Sequence, residues 1–184
     1  MHQFVRVGFL VAALGTVAVT SAASQLLEQP EPDRSTSDPV MLILRGIANS
    51  ESPRGQLDDG AALQYAWYAG FRGEVLDVAG NTGPDSLQVR MALDRIRDDP
   101  LIAAIYGFSG GGYNARHVWA GLTAAQRERI RRVIVVGSPG VAASDFPGMP
   151  YVVIKPDPRE GHMAGPKALL QWEAGPEAPL ELGE

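Results

Sequence analysis

The sequence predicts an α/β fold: a three-layer α/β/α sandwich built on a five-stranded parallel sheet in the order 2-1-3-4-5. Three observations lead there. Short apolar runs alternate along the chain with segments of helical period. The runs are apolar throughout rather than at every second residue, as strands covered on both faces require. Once the N-terminal segments are set aside, roughly 145 residues remain, enough for one domain, and 45% apolar residues suffice for one core.

Residues 1–23 read as a signal peptide. Met1–Arg6 carries one positive side chain plus the amino terminus, Val7–Val19 is an apolar run, and Thr20-Ser21-Ala22-Ala23 supplies small residues suited to cleavage. The apolar core is too short to span a bilayer comfortably. The expected product therefore keeps no stable membrane span and is exported to the periplasm or beyond; an uncleaved anchor is the alternative. Residues 24–39 are polar, with Pro30, Pro32 and Pro39, and form a flexible lead-in.

The folded domain is expected over residues 40–174. Val40–Leu44 is a strand. Asp58–Gly70 carries Ala62, Leu63, Ala66 and Trp67 at helical spacing, with Asp58 and Asp59 at its N-terminal end. Glu74–Val78 is the second strand. A helix from about Ser86 places Val89, Leu93 and Ile96 on one face and stops before Pro100. Leu101–Phe108 is the third strand. Gly111–Gly121 and Thr123–Arg132 are helical, the latter opened by a Thr-x-x-Gln capping box. Val133–Val136 and Tyr151–Lys155 are the fourth and fifth strands, Pro166–Ala174 is a closing helix, and 175–184 is a loose acidic tail. Arg127, Arg129, Arg131 and Arg132 read as a solvated helix face.

A formal charge of −5, or −6 once Arg6 leaves with the leader, argues against a nucleic-acid partner. The chain has no cysteine, so disulfides and zinc–thiolate sites are excluded. It shows no internal repeat.

The chemistry concentrates in Gly107-Phe108-Ser109-Gly110-Gly111, where the third strand runs into a helix. A serine on a very sharp strand-to-helix turn projects its hydroxyl above the sheet. The residues two before and two after it then come so close that side chains would collide, so both are glycine. The helix that follows aims its free N–H groups and positive end at an oxyanion formed there.

Ligands of such sheets bind beyond the carboxyl ends of the strands. On that rim stand Arg45–Ser50 after the first strand, Asp77 and Asn81 after the second, and Ser109 after the third. Ser138-Pro139-Gly140 follows the fourth, and Asp157 and His162 the fifth. A serine hydroxyl needs a general base, and the base needs a carboxylate to hold its tautomer. His2 lies in the leader, and His117 is two helical turns beyond Ser109, pointing away; it reads as a structural or surface residue. His162, in a glycine-bounded loop, is the base. Asp157, at the end of the fifth strand, is the orienting acid, with Asp77 and Asp145 in reserve. In the expected order Asp77 sits on the edge strand, with three strands, each about 4.8 Å from the next, between it and the fifth.

With these residues in place, the chain resembles a minimal α/β-hydrolase, whose order Ser…Asp…His it shares. Within that superfamily it is most similar to the lidless, cutinase-like branch, and it also resembles short exported bacterial α/β-hydrolases. The resemblance covers Val40 to about Trp172. It implies that Arg45-Gly46-Ile47 supplies an oxyanion-hole amide from Ile47 beside that of Gly110. The chain departs from the branch in its short interval from Asp157 to His162, in lacking cysteines, and in having Ile47 where a hydroxyl residue is frequent.

The function expected is an exported serine esterase. Ser109, His162 and Asp157 form a triad, the reaction passes through an acyl-enzyme, and no metal or organic cofactor is required. The partner is a small-molecule or polymeric ester. An acyltransferase with the same triad and a non-catalytic binding protein on the same fold are the alternatives.

Overall fold

A computed structural model describes residues 35–47, 53–78, 81–155, 165 and 169. The leader, most of the lead-in, the closing helix apart from Leu169, and the tail lie outside the described residues, as do Asp157 and His162. The chain divides after Pro30, and all described residues belong to the second unit.

Five parallel strands form the sheet: β1 (Val40–Leu44), β2 (Arg72–Leu76), β3 (Ile102–Phe108), β4 (Arg132–Val136) and β5 (Val152–Lys155). Their spatial order is β2-β1-β3-β4-β5, as expected. The helices are α1 (Pro53–Tyr68), α2 (Leu87–Asp98), α3 (Gly110–Gly121) and α4 (Ala124–Arg129). Strand residues alternate between two apolar cores. Leu42, Ile105 and Val133 meet Val89, Ile96 and Trp119 from α2 and α3. Ile43, Tyr106 and Ile134 meet Tyr65 and Ala66 from α1, together with Leu169. The sheet is thus covered on both faces, a three-layer α/β/α arrangement. The β1–β3 register slips by one residue between Val40 and Met41. That bulge turns both Ala103 and Ala104 toward the α1 core.

Several element ends differ from expectation by one to five residues, and three of them have a plain local reason. Helix α1 starts at Pro53, five residues before Asp58, because proline's fixed φ and missing N–H suit a first helical position. Strand β2 starts at Arg72 rather than Glu74. Gly70 ends α1 in a left-handed turn with φ 86°, and Arg72 then falls opposite Val40. Helix α4 has the expected capping box, with the Gln126 amide donating to Thr123 Oγ1 at 3.3 Å. It ends at Arg129, because the Arg131 N–H donates to the Ala103 carbonyl and begins the β4 ladder.

The arginine run is a solvated face only in part: Arg131 is exposed, whereas the other three are engaged. Arg127 donates to the Trp119 and Ala120 carbonyls at the end of α3, at 3.1 and 3.0 Å, and its guanidinium lies over the Trp119 ring. Arg129 donates to the Ile96 carbonyl near the end of α2 at 2.7 Å. Both place a cation at the negative end of a neighbouring helix. Arg132 covers the Tyr151 ring, 4.3 Å from its centroid.

Candidate active site

Strand β3 is buried along its whole length and delivers Ser109 to the carboxyl edge of the sheet. Ser109 has φ 53° and ψ −118°, and it is the one non-glycine residue with positive φ among the described residues. That backbone is costly for a residue with a side chain and persists where its surroundings over-determine it. Here they do. The Ser109 N–H donates to the Val136 carbonyl at 2.9 Å. Its own carbonyl accepts from the Ser138 hydroxyl at 2.7 Å. Helix α3 starts at the next residue, so the N–H groups of Gly110 and Gly111 precede its first intrahelical bond, which Gly112 makes by donating to the Ser109 carbonyl at 3.0 Å.

The flanking glycines answer to backbone, as expected. A Cβ on Gly107 would come within 2.6 Å of the Gly111 carbonyl oxygen, and one on Gly111 within 2.6 Å of that of Arg45 and still closer to that of Leu44. Gly112 has its own reason: a Cβ there would run into the Ser138 side chain and within 2.7 Å of Val135 Cγ1. Ser138 was not foreseen as a support for the turn. The available signal was a serine at the end of a strand, next in space to the serine strand.

The Arg45-Gly46-Ile47 segment lies against the serine. A Cβ on Gly46 would be 3.2 Å from Ser109 Cβ and 3.3 Å from the Phe108 carbonyl oxygen. The Ile47 side chain is 73% exposed, so it is the backbone that the segment offers to the site. The Arg45 side chain anchors the segment sideways. Its Nε donates to Asp59 Oδ1 of α1 at 2.9 Å and its second terminal nitrogen to Asp59 Oδ2, while Nη1 pairs with Asp77. Asp77 is 76% exposed, so its pair contributes ~0–1 kcal/mol; the half-buried fork with Asp59 is the stronger hold. Asp77 is thereby engaged at the β2 edge, with Arg45.

Asp157 and His162 lie outside the described residues, and the nearest described positions along the chain are Lys155 and Gly165. Lys155 pairs with Val136, and its carbonyl accepts from the Gly137 N–H at 2.9 Å. Gly165 sits against Phe108, the residue before the serine; a Cβ on it would be 3.0 Å from Phe108 Cε2 and from Val136 Cγ1.

Beside Ser109 opens a cavity of about 220 Å³ on the α1 side of the sheet. Ile43, Ala62, Tyr106 and Phe108 make its apolar wall, and Arg45, Asp58 and Asp59 contribute charge. Burial, and then the nearby Asp58 carboxylate, push the Tyr106 hydroxyl far up, so it stays protonated.

Neither a protein-family profile nor a curated protein sequence matches the chain. Among solved structures, a Trichoderma reesei cutinase in complex with a C11Y4 phosphonate inhibitor is similar to it, with a TM-score of 0.44 and 19% identity. The alignment covers 77% of this chain and 67% of the cutinase.

His117 stands on α3 well past the turn. Its imidazole is held below the ordinary value of 6.5 by burial and then by Arg116, with Asp145 opposing. The unfolded chain therefore binds this proton more readily than the folded one. The contribution is neutral above about pH 6.5 and turns unfavourable as the pH falls through that value toward the lower folded one. His117→Gln should accordingly lose less stability than the parent between pH 7.5 and 5.5 in urea titrations. Equal losses would show that His117 is not a source of acid sensitivity. Asp145 caps its own turn, accepting from the Ala142 N–H at 3.0 Å. Among the described residues no cluster of three or more His, Asp or Glu is placed to hold a metal ion, and no described helix is long and apolar enough to cross a membrane.

Proposed function

We propose that this chain is a serine hydrolase of carboxylic esters, acting after export. The observation that carries the reading is the backbone of Ser109: a strained, doubly hydrogen-bonded serine at the carboxyl edge of a parallel sheet, ahead of a helix N-terminus. Structural roles do not call for a serine there, since glycine adopts that backbone at less cost.

In this reading the Ser109 hydroxyl attacks the ester carbonyl and His162 Nε2 accepts its proton. Asp157 holds the imidazole tautomer and steadies the imidazolium. The N–H groups of Gly110 and Ile47 donate to the oxyanion. The histidine returns its proton to the leaving alcohol, and water activated by the same histidine releases the acyl group. Support comes from the described ends of the loop that holds both residues. Lys155 adjoins the strand next to the serine, and Gly165 touches Phe108. His162 is three residues from Gly165, at most ~10 Å of chain. A cavity of about 220 Å³ suits a short acyl group better than a long one.

A fluorophosphonate probe tests the nucleophile, since an activated serine labels and an ordinary one does not. Labelling should be stoichiometric and map to Ser109; absence of labelling in folded protein would refute the reading. The acid is tested by a pair of variants. Asp157→Asn should lower kcat by about 10³-fold or more while keeping the fold, by stranding the histidine in the wrong tautomer. Asp77→Asn, distant on the β2 edge, should stay within about tenfold of the parent. The opposite ranking would reassign the acid. Export predicts a mature N-terminus near Ser24, readable by sequencing the exported protein; an intact Met1 in the membrane fraction would mean an anchor instead.

A further inference from the structure

Two fully buried amides lie between the serine helix and the Arg45 segment. Gln88, on α2, and Asn114, on α3, are both 0% exposed. The Asn114 Nδ2 group donates to Gln88 Oε1 at 2.8 Å and to the Asn81 carbonyl at 3.0 Å, and its Oδ1 accepts from the Gly83 N–H at 3.2 Å. The Gln88 Nε2 group donates to the Val78 carbonyl at 2.8 Å and to the Arg45 carbonyl at 3.2 Å. Every N–H of the two amides is used, and both oxygens accept. Buried amides are costly unless satisfied in this way, and a satisfied network fixes whatever it touches.

What it touches is the peptide ahead of Gly46. The Arg45 carbonyl is held by Gln88 on one side and packed by Gly111 at the start of α3 on the other. The Arg45 side chain is tied to Asp59 and Asp77. The Arg45–Gly46 peptide plane is therefore determined from α1, α2, α3 and the β2 edge at once, and the next N–H in line is that of Ile47. Neither amide reaches the cavity beside Ser109, so neither touches a substrate there.

We infer that Gln88, itself set by Asn114, is a positioning residue that aims the Ile47 N–H at the oxyanion. The inference rests on the serine-hydrolase reading for its consequence, but the loop geometry it asserts is measurable without activity. It links the oxyanion segment to the same helix that starts at the nucleophile, so the two halves of the site are set by one side-chain pair. The amides also hold the chain at Val78, Asn81 and Gly83, through the first two carbonyls and the Gly83 N–H; the bond that bears on the site is the one from Gln88 to the Arg45 carbonyl.

The test compares the parent with Gln88→Met, which keeps length and volume but donates no hydrogen bond, and with Asn114→Ser, which is smaller and keeps a hydroxyl. Three readouts are taken on folded protein. Backbone ¹H–¹⁵N shifts of Gly46 and Ile47 should move in both variants while those of β4 and β5 hold. kcat should fall by about 10²-fold with KM changed less than threefold, the signature of a lost transition-state interaction. Affinity for a trifluoromethyl ketone, which forms a tetrahedral adduct, should fall in proportion to kcat/KM. Unmoved Gly46 and Ile47 shifts, or an unchanged kcat with unchanged ketone affinity, would overturn the inference. If Gln88→Met does not fold, Asn114→Ser alone decides by the same criteria. If the parent itself neither turns over esters nor labels at Ser109, the serine-hydrolase reading falls, and the amide shifts still decide whether Gln88 sets the loop.

Discussion

Ser109→Ala should lower ester turnover by about 10⁴- to 10⁶-fold without unfolding the protein. The alanine removes one oxygen and leaves the turn's supports, the Val136 carbonyl and the Ser138 hydroxyl, bonded to backbone atoms that remain. His162→Ala should cost about as much, and the double variant little more. A nucleophile and its base act as a unit, so removing the second member of a disabled pair has nothing left to remove. The measurement is initial rates on a short-chain nitrophenyl ester, with circular dichroism confirming the fold. Near-parental hydrolysis by folded Ser109→Ala would end the proposed chemistry. Additive losses in the double variant would keep the serine and discard His162 as its base.

Gly111→Ala should be nearly as severe, but through folding. The new methyl group would lie 2.6 Å from the Arg45 carbonyl oxygen and closer still to that of Leu44. Both obstacles are backbone at the carboxyl end of β1, Leu44 held by ladders to β2 and β3 and the Arg45 carbonyl by Gln88, so neither can move aside as a side chain would. A buried overpacking of this kind exceeds the 1–3 kcal/mol typical of an extra methylene in a core and approaches a small domain's entire stability of ~5–15 kcal/mol. The variant is expected to be insoluble or without a cooperative thermal transition. Gly121→Ala, at the end of the same helix, is the control. There the nearest atoms are the flexible Leu93 side chain, from 3.0 Å outward, and the gain in helix propensity of up to ~1 kcal/mol offsets the squeeze. A folded, stable Gly111→Ala would mean that α3 does not press on β1 as described.

Much of this was readable in the sequence, and the particular residues say why. The strands were legible because Val40–Leu44, Ile102–Phe108 and Val133–Val136 are buried on both faces, so their apolar runs are unbroken. Ser86 and Thr123 marked helix starts because their hydroxyls bond the first turn. Gly107 and Gly111 were legible because a single local motif imposes both. The supports of the site were not. Ser138 reaches Ser109, and Gln88 reaches Arg45 and Asn114, across 26 to 43 positions of chain, and a hydrogen bond between distant residues leaves no periodicity to detect. The arginines of α4 were misread for the same reason. Their charge is visible in sequence, whereas the carbonyls of Trp119 and Ile96 that receive them are set only by packing.

The all-parallel sheet has a kinetic consequence as well. No two neighbouring strands can be joined by a hairpin. The most local ladder pairs Val133 with Val152, 19 positions on, while β1 meets β3 through Val40 and Ile102, 62 positions apart. Each ladder closes a long loop before any pairing repays its entropy, so two-state collapse should be slow for a chain of this size. Slow collapse keeps a polypeptide threadable. For a chain proposed to cross a membrane before it works, the same connectivity would also hold translocation open.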